Sequence, residues 1–205
     1  MKSKHITIVI LVITFLVIIF YSFTGNDGTY EEQITQERIE KDKYMRTADD
    51  SPFKGKTDAF TGLKYFAADP AYNIIADLTP IQQKKAVMLG TSDGKEEHYL
   101  EYAYADFKLH GKTQRLLILE LMDMGPNRGK LFLAFADETS ANETYGAGRY
   151  LDVTRTSGSN TITLDFNKAY NPYCAYNDEF SCPFPPKENL LTVAIMAGEK
   201  NYKPN

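Results

Sequence analysis

The 205-residue chain has no tryptophan, two cysteines and three histidines, and its 23 basic side chains are outnumbered by 27 acidic ones, a formal net charge of −4. Each shortage excludes something. So few cysteines and histidines leave little material for a zinc cluster, and neither a metal nor a cofactor is expected. A mildly acidic balance argues against a nucleic-acid partner, which calls for a basic face. There is no Gly-x-Ser-x-Gly, and His98 and His110 have no evident serine partner, so a serine-hydrolase triad is not expected. The only Gly-x-Gly of note, Gly146 and Gly148, does not open a helix and reads as turn chemistry rather than a phosphate cradle. No internal repeat is evident.

What is present is unevenly spread. From Ile6 to Phe23 the chain carries no charge, with Lys2 and Lys4 before it and Asp27, Glu31 and Glu32 after it. As a helix this run would span roughly 27 Å at about 1.5 Å per residue, close to the hydrocarbon thickness of a bilayer. The charge bias keeps the N-terminus in the cytoplasm and sends the remainder across the membrane, to the periplasm or cell surface. A cleaved signal peptide is the competing reading, without a convincing small-residue cleavage site. The expected organisation is a transmembrane anchor over 1–25, a charged helical stalk over 26–50 and an extracytoplasmic β-rich domain over 51–205.

Beyond Ala86 the pattern is one of short apolar runs separated by turn residues. Ala86–Gly90, the aromatic stretch through Tyr99 and Phe107, Gln114–Met124, Leu131–Ala136, Arg149–Val153, Thr161–Phe166 and Leu190–Ala197 are the expected strands. Strands at this spacing predict a mainly β fold, an antiparallel sandwich or small barrel.

The segment from Asp165 to Glu199 is the best candidate for a site. Pro172, Pro183, Pro185 and Pro186 forbid long regular structure there, and long irregular segments are uncommon unless functional or tied down. The candidate binding patch comprises Arg149, Tyr150, Asp165, Asn167, Tyr170, Asn171, Asn177, Glu188 and Asn189. Arg149 would grip a carboxylate, either an internal one such as Asp165 or that of an acidic ligand. Tyr170, Tyr173 and Tyr176 suit a sugar or peptide groove. Asp165 with Glu188 would serve an acid/base hydrolase, and Asp165, Asn167, Asn171 and Glu188 a calcium ion, although the EF-hand spacing is absent. Cys174 and Cys182 are expected as a disulfide, with free thiols and metal or catalytic use as the alternatives.

Three strings carry a resemblance. LDFNKAYNPYCAYNDEFSCPFPPKENLL, with AGE soon after, resembles the signature of a bacterial domain-of-unknown-function family numbered 1684. FADETSANETYGAGRYLDV, from Phe135 to Val153, and FTGLKYFAADPAY, from Phe60 to Tyr72, are similar to its other characteristic stretches. Together they span roughly Ser51 to Lys200, in order. The resemblance implies no established activity and transfers no catalytic residue. The function expected is therefore a ligand-binding or interaction module of the cell envelope, meeting an envelope sugar or peptide, with an envelope hydrolase as the alternative.

Overall fold

The computed structural model describes Thr14, residues 28–122 and residues 127–203. Within residues 28–203, the described elements include the helix α1 (Tyr30–Thr47) and eight strands, β1 (Asn73–Pro80), β2 (Ala86–Gly90), β3 (Glu96–Leu109), β4 (Lys112–Leu121), β5 (Leu131–Phe132), β6 (Ala134–Phe135), β7 (Arg149–Tyr150) and β8 (Thr161–Asp165). Six of them form an antiparallel sheet in the order β5-β4-β3-β1-β8, with β2 also on β3. β3 is long enough to be shared. Its first half pairs with β2 and its second half with β1, while β4 runs along its other edge through an irregularity between Glu101 and Ala103. β6 and β7 form a separate two-stranded ladder.

The mainly β expectation holds, and the apolar density of β4 has a simple cause. Its alternate residues are buried on both faces of the sheet. Leu116 and Ile118 join the main core with Ala103, Ala105, Phe107 and Leu164, whereas Leu117 and Leu119 pack on the other side with Leu89 and Tyr99. A strand buried on both faces reads as an unbroken apolar run. Among the described residues no complete second sheet covers the main core; much of that cover is irregular chain, including Leu133, Leu151, Val153, Leu191, Val193 and Ile195.

The expected last strand is corrected by the structure. Residues 190–197 form no strand, although Leu191, Val193, Ile195 and Ala197 are buried and Thr192 and Met196 are exposed. The alternation that suggested a ladder is real, but the segment is extended chain lying on the core.

The membrane expectation is also corrected. No helix among the described residues is long and apolar enough to cross a membrane. The proposed transmembrane segment over 1–25 lies outside the described residues apart from Thr14. The membrane anchor, the membrane as partner and the extracytoplasmic placement are therefore withdrawn.

The segment expected to be a stalk forms α1, which lies on the domain. A capping box starts it: Thr29 Oγ1 accepts from Glu32 N–H, and Glu32 Oε2 accepts from Thr29 N–H. Of its few apolar residues Ile34 and Met45 are buried, at 2 % and 0 % exposed, while Ile39 faces outward. The rest of the docking face is polar. Arg38 lies over the Tyr65 ring and donates to the carbonyls of Phe66 and Asn167, Asp42 accepts from Leu63 N–H, and Glu37 pairs with Lys168.

Asn189 ties the proline-rich loop to the sheet edge. Its side chain accepts from Leu117 N–H at 2.6 Å and donates to Leu117 O at 2.9 Å and Ala134 O at 2.8 Å, all buried. Asn189→Ala orphans three backbone groups and should lower unfolding stability by about 3 kcal/mol, measured by urea denaturation. A loss under about 1 kcal/mol would show that water replaces the amide there.

Candidate functional site

Arg149 does not face a ligand. Its guanidinium is 1 % exposed and donates inward, from Nη2 to Asp137 Oδ2 at 2.9 Å and Ile195 O at 3.0 Å, and from Nη1 to Ala197 O at 2.5 Å and Glu199 O at 3.3 Å. The internal partner is Asp137 rather than Asp165. Asp137 Oδ1 in turn accepts from Thr139 N–H and Oγ1 and from Ile195 N–H. Burial pulls Arg149 below its ordinary pKa and the Asp137 carboxylate opposes that pull; a guanidinium stays charged in proteins regardless. The Gly-x-Gly turn beside it is steric. Gly148 has φ +91°, and a Cβ there would stand 2.6 Å from Phe135 O and 2.7 Å from Pro185 Cγ.

The remaining candidates scatter. Asp165 and Asn167 meet at the start of α1, where Tyr30 donates to Asp165 Oδ1 at 2.6 Å and Asn167 brackets the backbone of Asp69. Desolvation and the Asp165 carboxylate push the Tyr30 phenol up. Asn171 is buried on Glu199, and Asn177 caps Glu179 N–H and reaches Pro52 O. Glu188 is exposed beside a different hollow, with Gly90 and Phe184. Arg149, Asp165 and Glu188 thus share no site, so the acid/base pair does not assemble. Among the described residues no group of three or more histidines, cysteines, aspartates or glutamates is placed to hold a metal ion.

Tyr150 and Tyr170 do meet, in a groove of about 620 Å³ between α1 and the chain from Lys168 to Pro183. Glu37, Lys41, Tyr44 and Met45 supply one wall from successive turns of α1; Tyr150, Asp152, Tyr170, Tyr173, Phe180 and Cys182 supply the other. Its polar atoms are largely satisfied by each other. Tyr170 donates to Asp152 Oδ1 at 2.9 Å, Tyr44 and Tyr173 hydroxyls lie 3.0 Å apart, and Tyr150 donates to Pro183 O at 2.6 Å. Burial pushes the Tyr150 and Tyr170 phenols well up.

At the root of the groove Lys41 Nζ lies 4.2 Å from the Tyr170 ring centre and 3.6 Å from Glu199 Oε2. Glu199 is fully buried. Its carboxylate accepts from Tyr176 OH and from Asn171 N–H and Nδ2. Burial lifts Glu199 above the ordinary glutamate range, with Lys41, Tyr176 and Asn171 opposing, and burial pulls Lys41 down. Tyr176 therefore belongs to this buried network, not to the groove lining. The α1 wall was absent from the sequence-derived patch. Its signal was the spacing of Glu37, Lys41 and Tyr44, which share one helical face.

Cys174 and Cys182 are free thiols in this structure, so the expected disulfide is not formed. They are nevertheless neighbours, with Cys174 N–H donating to Cys182 Sγ at 3.1 Å.

Fold and groove together define a mainly antiparallel β domain with one docked helix and a tyrosine-rich groove. The chain belongs to a family described as "Protein of unknown function (DUF1684)", whose model matches residues 58–200. It is similar to the uncharacterized protein from gene locus rrnAC0354 of Haloarcula marismortui, solved in solution by NMR. That similarity has 38% sequence identity and a TM-score of 0.63, covering 83% of this chain and 94% of that one. No curated protein matches this chain.

Two outcomes test the buried charges. Arg149→Met leaves Asp137 buried without its cation and should cost about 3–5 kcal/mol in denaturant unfolding; an unchanged midpoint would remove Arg149 from the frame. Glu199 binds its proton more tightly folded than unfolded. Its contribution is therefore present below the ordinary glutamate value, about 4.3, and lost as pH rises through the raised folded value. Thermal melts across pH should show Glu199→Gln gaining on the parent chain as pH rises through that window; a constant or shrinking difference would contradict the raised value.

Proposed function

We propose that this chain is a small-molecule binding domain and that its ligand, a neutral sugar, occupies the groove between α1 and the loop from Lys168 to Pro183. The observation that carries this reading is the groove's volume and lining. At about 620 Å³ it falls within the range of small-molecule sites, which are mostly apolar and aromatic with a few placed polar groups. Tyr44, Tyr150, Tyr170, Tyr173 and Phe180 supply the aromatic surface, and Asp152 and Lys168 stand among them as hydrogen-bonding groups.

Charge favours a neutral ligand over an ionic one. Glu37 is paired with Lys168 at 2.6 Å and Lys41 with Glu199 at 3.6 Å, so both lysines of the groove are already paired, and Asp152 accepts from the Tyr170 hydroxyl. A polyhydroxylated ring matches that lining, with apolar C–H faces for the tyrosines and hydroxyls for Asp152 and Lys168. The hydrolase reading loses its basis, because Asp165 is engaged by Tyr30 and Asn167 while Glu188 borders another hollow.

NMR titration of isotope-labelled protein with neutral mono- and oligosaccharides tests the proposal, with short peptides and inorganic phosphate as comparators. Shifts should concentrate at Lys41, Tyr150, Asp152 and Tyr173, and Tyr173→Ala should weaken sugar binding about tenfold, equivalent to about 1.4 kcal/mol. Saccharide shifts confined to other surfaces, or peptides alone producing the groove shifts, would overturn it.

A further inference from the structure

Cys174 and Cys182 stand where the groove wall meets the frame, and sugar binding makes no use of them. Cys174 lies in a 3-10 helix, Tyr173–Ala175, that follows Pro172. Cys182 is fixed from the opposite side: its N–H donates to Ser92 Oγ at 3.1 Å, and its carbonyl accepts from Ser92 N–H at 2.9 Å. The next two residues are held as firmly, Pro183 O by the Tyr150 hydroxyl and Phe184 N–H by Gly90 O. Backbone anchoring thus brings the two sulfurs together without a bond between them. The Tyr145 hydroxyl lies 3.9 Å from Cys174 Sγ. The residues are 7 % and 6 % exposed, and Cys182 lines the groove between Ser181 and Pro183.

We infer that Cys174 and Cys182 form a thiol–disulfide exchange pair whose substrate is a small-molecule disulfide, and that closing the pair reshapes the groove wall at Ser181–Pro183. The inference is independent of what the groove binds.

The surroundings divide the roles. Hydrogen bonding from the Cys182 thiol draws Cys174 down to about 6, with Ser92 and Tyr145 assisting and burial opposing. The same hydrogen bond, with burial, pushes the Cys182 thiol up. Burial, followed by the neighbouring Cys174, lifts Tyr145 to about 12, which keeps its proton available as a donor. Cys174 is therefore the attacking sulfur and Cys182 the resolving one.

The exchange balances without a metal or cofactor. The Cys174 thiolate attacks one sulfur of a disulfide RSSR, so a Cys174–SR bond forms as the reagent's S–S bond breaks. The departing RS⁻ takes the proton of Cys182. The Cys182 thiolate then attacks the Cys174 sulfur, forming the Cys174–Cys182 bond and expelling the second RS⁻, which takes a proton from water. Two electrons pass from the protein to the reagent, which leaves as two RSH.

The test uses the full chain with cystamine, followed by intact mass and peptide mapping. The folded protein should lose about 2 Da without retaining an adduct, as an intramolecular bond requires, and reduced glutathione should reopen it without denaturant. Cys182→Ser should stop at a stable mixed disulfide on Cys174, and Cys174→Ser should slow adduct formation on Cys182 at least about tenfold.

The parent chain supplies a readout that needs no folded variant. Its iodoacetamide alkylation rate should rise around pH 6, against about 8.5 for an ordinary thiol. Amide and ring signals of Ser181, Cys182 and Tyr150 should shift between the dithiol and disulfide forms. An ordinary thiol profile, a bond that opens or closes only after denaturation, or unchanged groove-wall signals in the oxidised protein would each overturn the inference.

Discussion

One buried guanidinium takes the place of a strand. Residues 190–197 alternate like a β-strand yet form no continuous ladder, which would leave much of their backbone unsatisfied against the core. Leu191 N–H reaches Ala136 O and Val193 O accepts from Glu138 N–H, and Arg149 takes much of the rest. From the end of the two-residue strand β7 it donates to the carbonyls of Ile195, Ala197 and Glu199, while its partner Asp137 accepts Ile195 N–H. The fork geometry of a guanidinium suits several fixed acceptors at once, which a lysine ammonium on a flexible stem does not reproduce. The charge is affordable in the interior only because Asp137 is hydrogen-bonded on both oxygens.

The groove hangs from that arrangement. Arg149 holds the Glu199 carbonyl, and Gly198 lets the chain pass where a Cβ would lie 2.6 Å from Phe166 O and 2.7 Å from Ala169 O. Glu199 then offers its carboxylate to Asn171, Tyr176 and Lys41. Asn171 and Tyr176 flank the Tyr173 turn, and Lys41 belongs to α1. A single buried carboxylate thereby sets the distance between the two walls of the groove. Because so much of the α1 contact is polar, its position follows from named partners such as Asp165, Phe66 O and Leu63 N–H rather than from a broad apolar stripe.

The sequence was most informative where periodicity and burial coincide. β2 falls on the expected residues, and β4 and β8 were visible as apolar runs ended by turns. β1 was hidden in a stretch rich in proline and aromatics, and its exposed Ile75 lies on the opposite face from buried Ala76 and Leu78. The segment over 190–197 misled because alternation reports which side chains are buried, not what the backbone bonds to. At the site, the sequence located the informative loop and three tyrosines of the groove, Tyr150, Tyr170 and Tyr173. It could not show that Arg149, Asn171 and Asn189 face inward, since a polar residue reads alike whether it binds a ligand or satisfies buried backbone. Nor could it bring α1 to the loop, because Lys41 and Glu199 are separated by most of the domain.

That distinction also explains why the family signature says little about activity. The residues that make the resemblance recognisable include Gly148, Arg149, Asn171, Asn189 and Glu199, and in the fold they hold irregular chain to the sheet and to itself. A domain whose main core is covered largely by non-ladder segments needs side chains of fixed type to replace the missing hydrogen bonds. The family model spans residues 58–200 and so omits α1. Glu37, Lys41 and Tyr44 nonetheless form one wall of the groove. The matched region therefore specifies the frame and one face of the site, while the opposing face comes from a helix outside it.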